Sequence, residues 1–580
     1  MKSFISLLTM LVLLTSCKKD FLDNKPKGTV SGDDLDQPAA IEALCTAAYA
    51  ALAGPEGENN GAHLSPTTNW AYGEVRAETA YKGGGGIGDI WEFNAFETFV
   101  GVYATNGLLD RKWFNLYISV QRANNAIRYL NQVSEETFPE KNARLGEMKF
   151  LRAHFFFELN RLFNHIPYFD ENVADGDYIK ISNREFTRDQ ILEKIAAEFA
   201  AAAELLPTSQ PQVARVTKYA AKAYQAKVTL YRAYKQNDDN TFMGTDLALL
   251  EQVLTLCDEV GQGGYNLWTD FQHLSEVEQE NGPESVFSIQ HSINDGSTYG
   301  RINWSNLLNV PKGQAYGGDG FFQPSQNLVN SYQTDENGLP LLDTYNDTNI
   351  QTVQDGLNHS VDPRLDFTVG RLGVRWKNYE KEAYSADWAR EPATYGYYSC
   401  KKFLVSPESP NMVKGWPWGG SSLNFQLIRY ADVLLWKAEA LIELGRESEA
   451  VSLINQIRER AKNSKYVLAW NNASETDYAA NYQIATYQPG VNCNWTQEYA
   501  RKALRFERKL ELAMEGERFF DLVRWGIADQ LLNNEYFSKE KALRGYLKNA
   551  RFMRGRDEYF PIPQNQINFS AGLYQQNPGY

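Results

Sequence analysis

The sequence predicts a mostly α-helical fold in which stacked helical hairpins carry a large, irregular, loop-rich insertion with short strands. Three observations lead there. Long stretches near both ends of the chain repeat apolar residues at i, i+3, i+4 and i+7, the period of a helix with one apolar face. Between Tyr265 and Gln426 that period fades, and Gly, Asn, Asp, Ser, Pro and aromatic residues separate strand-like runs such as Ser285–Gln290 and Lys402–Val405. Beyond the N-terminus no apolar run approaches the ~18 residues that a bilayer span requires.

The candidate helices are Pro38–Leu52, Leu108–Asn131, Asn142–Asn164, Thr187–Leu206, Thr217–Tyr234, Leu247–Val260, Ile428–Leu444, Ser448–Ala461 and Thr496–Trp525 with a break. Several come as pairs. In Arg429–Lys462 the small residues Ala438 and Ala440, the turn at Leu444-Gly445 and the later Ala450 resemble a tetratricopeptide repeat, where small side chains let one helix lie close on the next. Thr217–Val260 shows a looser version with Ala220, Ala223 and Ala226. One hairpin cannot bury its apolar face alone, so neighbours must stack, and these repeats read as scaffold.

Arg505–Gly526, RFERKLELAMEGERFFDLVRWG, is the most informative segment. Phe506, Leu510, Ala513 and Met514 form one apolar face, Gly516 supplies a one-residue break, and Phe519, Leu522 and Val523 resume the pattern. Arg508–Glu511, Arg518–Asp521 and Asp521–Arg524 are spaced to face each other. Glu511 and Glu515 lie one turn apart, which is also the spacing of an acid/base pair in a hydrolase. Each has an arginine within four residues, which lowers a carboxyl pKa and favours a structural network.

At the N-terminus, Lys2 precedes an apolar run from Phe4 to Leu14, too short to span a bilayer and suited to a signal peptide over residues 1–16. It ends in Leu14-Thr15-Ser16-Cys17, the pattern of a bacterial lipobox, which makes Cys17 the lipidation site. Two or more acyl chains there form a stable anchor. The polar Lys18–Gly28 stretch reads as a tether, and residues 29–580 as one domain, with scaffold at 29–264 and 427–580 and a ligand-binding insertion at 265–426.

A formal net charge of −14 argues against nucleic acid and disfavours strongly acidic ligands. Aromatic residues make up 13% of the chain, more than a core rich in Ala, Leu and Ile needs, which leaves some to face a ligand. Cys45, Cys257, Cys400 and Cys493 are far apart and read as buried free thiols. No HExxH, GxSxG or histidine pair with ligand spacing occurs, and His154 reads as a hydrogen-bonded core residue. Gly83–Gly88 lacks the ending of a phosphate loop, and no complete EF-hand loop occurs, though Asp238-Asp239-Asn240 could hold a weak Ca²⁺. No catalytic residue, metal or cofactor is expected.

Several segments together resemble the SusD/RagB family of outer-membrane nutrient-binding lipoproteins. These are ERKLELAMEGERFFDLVRWG, the aromatic run MKFLRAHFFFELNRLFNHIPYF at Met148–Phe169, DPRL at Asp362–Leu365, the helix pair Leu427–Ala461, and the closing motifs FPIP at Phe560–Pro563 and QNPGY at Gln576–Tyr580. The resemblance runs from the first cysteine to the last residue. It implies a SusD-like fold, lipid attachment to the outer membrane on the extracellular side, oligosaccharide as ligand, and a SusC-like TonB-dependent transporter as partner. The RagB side of the family implies peptide as the alternative ligand, and a surface glycoside hydrolase is the third reading.

Loop chemistry fits a sugar, whose C–H faces stack on aromatic rings and whose hydroxyls need polar partners. Two patches about two hundred residues apart have that make-up and correspond to where the resemblance implies glycan contacts. One holds Trp70, Tyr72, Tyr81, Lys82, Asp89 and Trp91. The other holds Tyr299, Asn303, Trp304, Tyr316 and Asp319. A site made from both requires the scaffold to bring them to one face as exposed side chains. The alternative location is the set Trp376, Trp388, Trp416 and Trp418.

Overall fold

Helices α1 (Pro38–Ala53), α2 (Gly107–Gln132), α3 (Lys141–Phe163), α4 (Arg188–Leu205), α5 (Lys218–Ala233) and α6 (Leu247–Gly261) pack each on the next. After a long excursion the stack resumes with α7 (Tyr430–Glu443), which lies against α6, then α8 (Glu447–Asn463), α9 (Gln497–Glu511) and the short α10 (Arg518–Arg524). The computed structural model of the chain describes residues 37–53, 68–174, 176–297, 301–414, 419–471, 474 and 477–580. The signal sequence, Cys17 and the tether lie outside the described residues, as do Tyr299, Trp416 and Trp418.

Helix boundaries follow local chemistry. Asn106 caps α2 by accepting from the N–H groups of Leu108 (3.0 Å) and Leu109 (3.3 Å). Thr187 and Gln190 form a reciprocal capping box on α4, and Thr217, Asp246 and Thr496 cap α5, α6 and α9. Helix α3 is buried on every side from Phe150 to Phe163, so it forms the centre of the stack. The charges that this burial encloses are all paired: Arg152 with Glu198 and Glu171, and Arg161 with Glu158 and Glu517. His154 is in this core, yet neither ring nitrogen has a hydrogen-bond partner among the described residues. It packs edge-on against Tyr224, and burial lowers its pKa to about 4, so it is held by packing as a neutral ring. Cys45, Cys257 and Cys400 are buried free thiols, whereas Cys493 is only half-buried.

Helix–helix contact between α6 and α7 closes the excursion at its base, and a strand pair reinforces the closure. Strand β2 (Ser285–Ile289) runs antiparallel to β4 (Phe425–Arg429), with Ser285 opposite Arg429 and Ile289 opposite Phe425. A second antiparallel pair joins the two loop-rich parts of the chain: β1 (Ala80–Gly83) lies on β3 (Phe321–Pro324), with Tyr81 opposite Gln323 and Gly83 opposite Phe321. Lys402–Val405, which looks strand-like in sequence, forms no strand.

Inside the excursion the aromatic residues build a core of their own. Tyr316, Trp376, Tyr379, Tyr384 and Trp388 pack with Val310, Leu404 and Val405. The Trp376 indole N–H donates to the Tyr316 hydroxyl (2.7 Å), which donates to the Val405 carbonyl (2.5 Å). The expectation that surplus aromatics face a ligand is therefore corrected for Trp376, Trp388 and Trp268, which are buried. A segment with little regular structure has few repeating apolar faces, so large rings supply the buried area.

The helix break near the C-terminus is longer than one residue: α9 ends at Glu511 and α10 begins at Arg518. Met514 and Gly516 both have left-handed backbones (φ 64° and 82°). The freed N–H groups of Met514 and Gly516 donate to the buried carboxylate of Glu74 at 3.0 Å each, and burial raises that carboxyl to about 7. A Cβ on Gly73 would lie 2.0 Å from the Gly516 carbonyl oxygen, so two glycine backbones touch there.

The expected Arg508–Glu511 and Arg518–Asp521 pairs do not form. Arg508 donates to Asp521 (2.8 Å) and pairs with Asp432 (3.2 Å), and Arg518 pairs with Glu78 (2.8 Å). The partners that form lie beyond the break or far along the chain. Asp521–Arg524 forms as spaced, at 2.8 Å. Glu511 instead accepts from Arg364 (3.0 Å), Arg429 (2.6 Å) and Arg460, while Arg429 (2.8 Å) and Lys402 hold Glu515. Burial alone would raise Glu511, but Arg460, Arg429 and Arg364 outweigh it and hold the carboxyl far below the usual range. Both carboxylates are structural.

Replacing Glu511 by Gln should therefore cost about 3–5 kcal/mol, the penalty for leaving buried charges unpaired, and lower the melting temperature followed by circular dichroism. An unchanged melting curve would contradict the structural assignment. Asp521 gives a pH test. Burial raises its carboxyl, but Arg508 and Arg524 win and set it at about 2, against about 3.9 in an unfolded chain. Its stabilisation, on the order of 2–3 kcal/mol, is complete above pH ~4 and is lost as pH falls towards 2. The stability gap between the parent and Asp521→Asn, measured by denaturant titration, should thus shrink across that window and stay constant above it.

Candidate functional site

Pairing of β1 with β3 carries the two sequence patches towards each other. Beyond β1 the chain enters the glycine-rich turn Gly83–Gly88, and this turn is tied down from below. The Gly84 N–H donates to the Gly320 carbonyl (2.8 Å), and a Cβ on Gly83 would lie 2.6 Å from that same oxygen, too close for any side chain. Lys82 is buried beneath the turn, and its ammonium donates to the carbonyls of Gly83 (3.0 Å), Gly86 (2.8 Å) and Asp89 (2.5 Å). Its pKa falls through burial. Lys82 thus shapes the turn from inside.

Asp89 closes the turn by accepting from the Gly85 N–H (2.7 Å). Its carboxylate also meets Arg390 (3.3 Å), and Arg390 bonds both the side chain (3.2 Å) and the carbonyl (3.0 Å) of Asp319. Asp89 and Asp319, some 230 positions apart by sequence number, therefore share one guanidinium. Burial raises the Asp319 carboxyl, partly offset by Arg390. All three side chains are partly exposed. Ile90 follows in a left-handed conformation (φ 49°) and starts the helix Trp91–Thr98, leaving Trp91 49% exposed at its first position. The arrangement presents an indole face, a guanidinium and two carboxylates around an open backbone turn. An indole face stacks on apolar C–H surface, and the charged groups donate to or accept from hydroxyls.

The structure brings Asp89, Trp91 and Asp319 to this surface and removes most of the other expected contacts. Trp70 is buried against Phe93 (ring centroids 5.1 Å apart) and Phe322 (5.4 Å). Tyr72 is enclosed by Phe93, Phe96 and Phe560. Tyr81 is fully buried, with its hydroxyl bonded to Glu540 and accepting from the Gln326 N–H (3.0 Å). Tyr316 belongs to the aromatic core of the excursion, and Asn303 donates from its amide to the Leu423 carbonyl (2.9 Å). Trp304 is half-buried against Ile302 and Leu307. As exposed stacking platforms or rim contacts, Trp70, Tyr72, Tyr81, Lys82, Asn303 and Tyr316 are corrected: each is buried and held by packing or hydrogen bonds. An aromatic next to a turn residue reads the same in sequence whether it covers a core or faces solvent.

Sequence reasoning missed Arg390, which joins the patches. Its signal was faint: a lone arginine in Trp388-Ala389-Arg390-Glu391, with no spacing that points to Asp89 or Asp319.

The fold and sequence match known proteins across most of their length. A model for a family described as starch-binding associating with outer membrane matches residues 20–230. The chain is 27% identical over 484 residues to SusD-like protein P2 of Formosa agariphila, covering 82% of this chain and 81% of that protein. It is 24% identical to a SusD-like protein of Bacteroides ovatus, covering 97% and 92%. Among solved structures, a laminarin binding SusD-like protein superposes with a TM-score of 0.65 at 22% identity, covering 94% of this chain and all of that one. Surface glycan-binding protein A from Bacteroides thetaiotaomicron in complex with laminarihexaose gives 0.65 at 19% identity, covering 93% and 99%. The SusD family model itself matches residues 283–580, more than half of the chain, and the chain belongs to the SusD family.

Proposed function

We propose that this protein is a glycan-binding lipoprotein of the bacterial surface. It captures oligosaccharide at the Trp91 surface and delivers it to a SusC-like TonB-dependent transporter in the outer membrane. The observation that carries this reading is the half-exposed Trp91 beside the Asp89–Arg390–Asp319 cluster. One stacking face and a few hydrogen bonds on an open surface hold a sugar with modest affinity, and modest affinity permits release into a transporter. Support comes from the laminarin and laminarihexaose named for similar structures. The outer-membrane wording of the matching family supports the location. The lipobox at Leu14–Cys17 supports attachment through Cys17, with residues 17–28 as the tether. Delivery to the transporter rests on family membership.

Stacking on Trp91 is worth about 1–2 kcal/mol, so Trp91→Ala should weaken the best saccharide from a glycan array roughly tenfold in calorimetry. Arg390→Ala should weaken it as well, by releasing Asp89 and Asp319 from their shared partner. Trp91→Ala should melt as the parent does, because the ring is half-exposed. Parent-like affinity in both variants would place the site elsewhere, and binding to a peptide library in place of the array would replace the ligand class.

The anchor is tested by fractionation. Cys17→Ala should leave the protein out of the outer-membrane fraction in cells that retain the parent there. Retention of the variant would rule out lipidation at Cys17 as the attachment.

A further inference from the structure

A cavity of about 590 Å³ opens between the 3-10 turn at Phe271–Ser275, the turn at Trp376–Tyr379 and the segments around Lys402 and Lys465. Its volume is that of a small-molecule site. It does not include Trp91, Asp89, Arg390 or Asp319. Phe271, Phe367, Val405, Tyr466 and Val467 give it apolar walls.

Its charge is unlike that of the whole protein. The chain carries −14, but the cavity is lined by five cations against three carboxylates, Glu276, Glu278 and Glu408. Two of the cations are already neutralised or engaged. Lys402 is bound to Glu515, and Arg375 donates to the Ala469 carbonyl (3.0 Å) and stands 3.9 Å from Glu380. Of the acids, Glu408 pairs with Lys381, and Glu276 lies 3.7 Å from His273 and near Lys377 without reaching ion-pair distance of it. That leaves Lys377, Lys401 and Lys465 with no carboxylate at ion-pair distance among the described residues. Lys401 is fixed by two backbone carbonyls, of Asp366 and Arg375, at 2.7 Å each.

Lys377 stands out among them. It has a left-handed backbone (φ 50°), unusual for a residue with a Cβ, in a tight turn where Tyr379 donates to the Trp376 carbonyl (3.0 Å). Trp376 anchors that turn in the aromatic core. The Lys377 ammonium has no hydrogen-bond acceptor among the described residues, and burial lowers its pKa to about 8. Lys377 is half-buried at the cavity wall, with Glu276 as its nearest charged neighbour but beyond ion-pair distance, so an arriving anion finds its ammonium free of hydrogen bonds.

We infer that this cavity is a second ligand site, for an oxyanion-bearing sugar whose carboxylate or sulfate ester is held by Lys377 and Lys465. The charged group rests on the cavity itself. The sugar body rests on the saccharide-binding reading and on the apolar wall with Tyr466.

Calorimetry on the soluble chain starting at Lys18 tests it with three oligosaccharides of equal length: neutral, uronate-containing and sulfated. A charged arm should bind at least tenfold more tightly than the neutral one, and which charged arm responds identifies the oxyanion. Lys377→Met and, separately, Lys465→Ala should each weaken that arm about tenfold, while the neutral arm binds both variants as it binds the parent. Lys465 is exposed, so its variant keeps the test open if Lys377→Met fails to fold. Equal binding of charged and neutral arms would overturn the inference, and so would parent-like affinity in Lys465→Ala. Loss of the charged arm in Trp91→Ala would assign it to the Trp91 surface instead. If the neutral arm binds through Trp91 and the charged arms bind nowhere, the inference fails alone; if no saccharide binds at all, the reading on which its sugar rests fails with it.

Discussion

The buried carboxylate of Glu511 is the point on which the architecture turns. Its three arginines come from different places: Arg364 from the excursion, Arg429 from the end of β4 as the chain re-enters the stack, and Arg460 from α8. Arg429 and Arg460 also share Glu284, next to the start of β2, and Arg364 and Arg458 share Glu507. Removing so many charges from water is costly, and apolar residues of similar volume would often stabilise as much. What the network supplies is direction. Each guanidinium fork accepts only narrow approach angles, so it fixes how the excursion sits on the helices in a way that oily contacts would not.

Much of the helical stack was legible in the sequence because its causes are local. Both ends of α2 and α4, and the start of α9, lie within a residue or two of where period and caps place them, since Asn106, Thr187 and Thr496 act on N–H groups two or three positions away. Arg508 and Arg518 were misassigned for the opposite reason. Their spacing was right for partners on one straight helix, but the partners that won lie beyond the break or far along the chain: Asp521, Asp432 and Glu78. No short-range pattern encodes those.

The candidate site shows the same divide. Asp89 and Trp91 are adjacent to a glycine-rich turn, and that local context marks them correctly as surface. Tyr81, only eight residues earlier, has the same kind of context, yet the β1–β3 pairing turns it into the interior beneath Gln326 and Glu540. Period-2 alternation cannot settle the matter in so short a strand, buried at every position. The tryptophans of the excursion were read as a surface because no helical period explained them. They are there because a long irregular segment still needs an interior, and a few large rings make one with few residues.

The clasp formed by β2, β4 and the α6–α7 contact has a further consequence. Because both ends of the excursion meet there, a flexible surface turn between them can lengthen at little cost to the stack: lengthening a closed loop adds entropy cost only logarithmically, about 0.6 kcal/mol for each doubling. Insertions and deletions in the surface turns between the clasp's two jaws are therefore cheap, provided the aromatic core, β3, Arg364, Lys402 and the clasp itself are kept. The turns between those fixed points can be rewritten while the frame that carries them stays untouched.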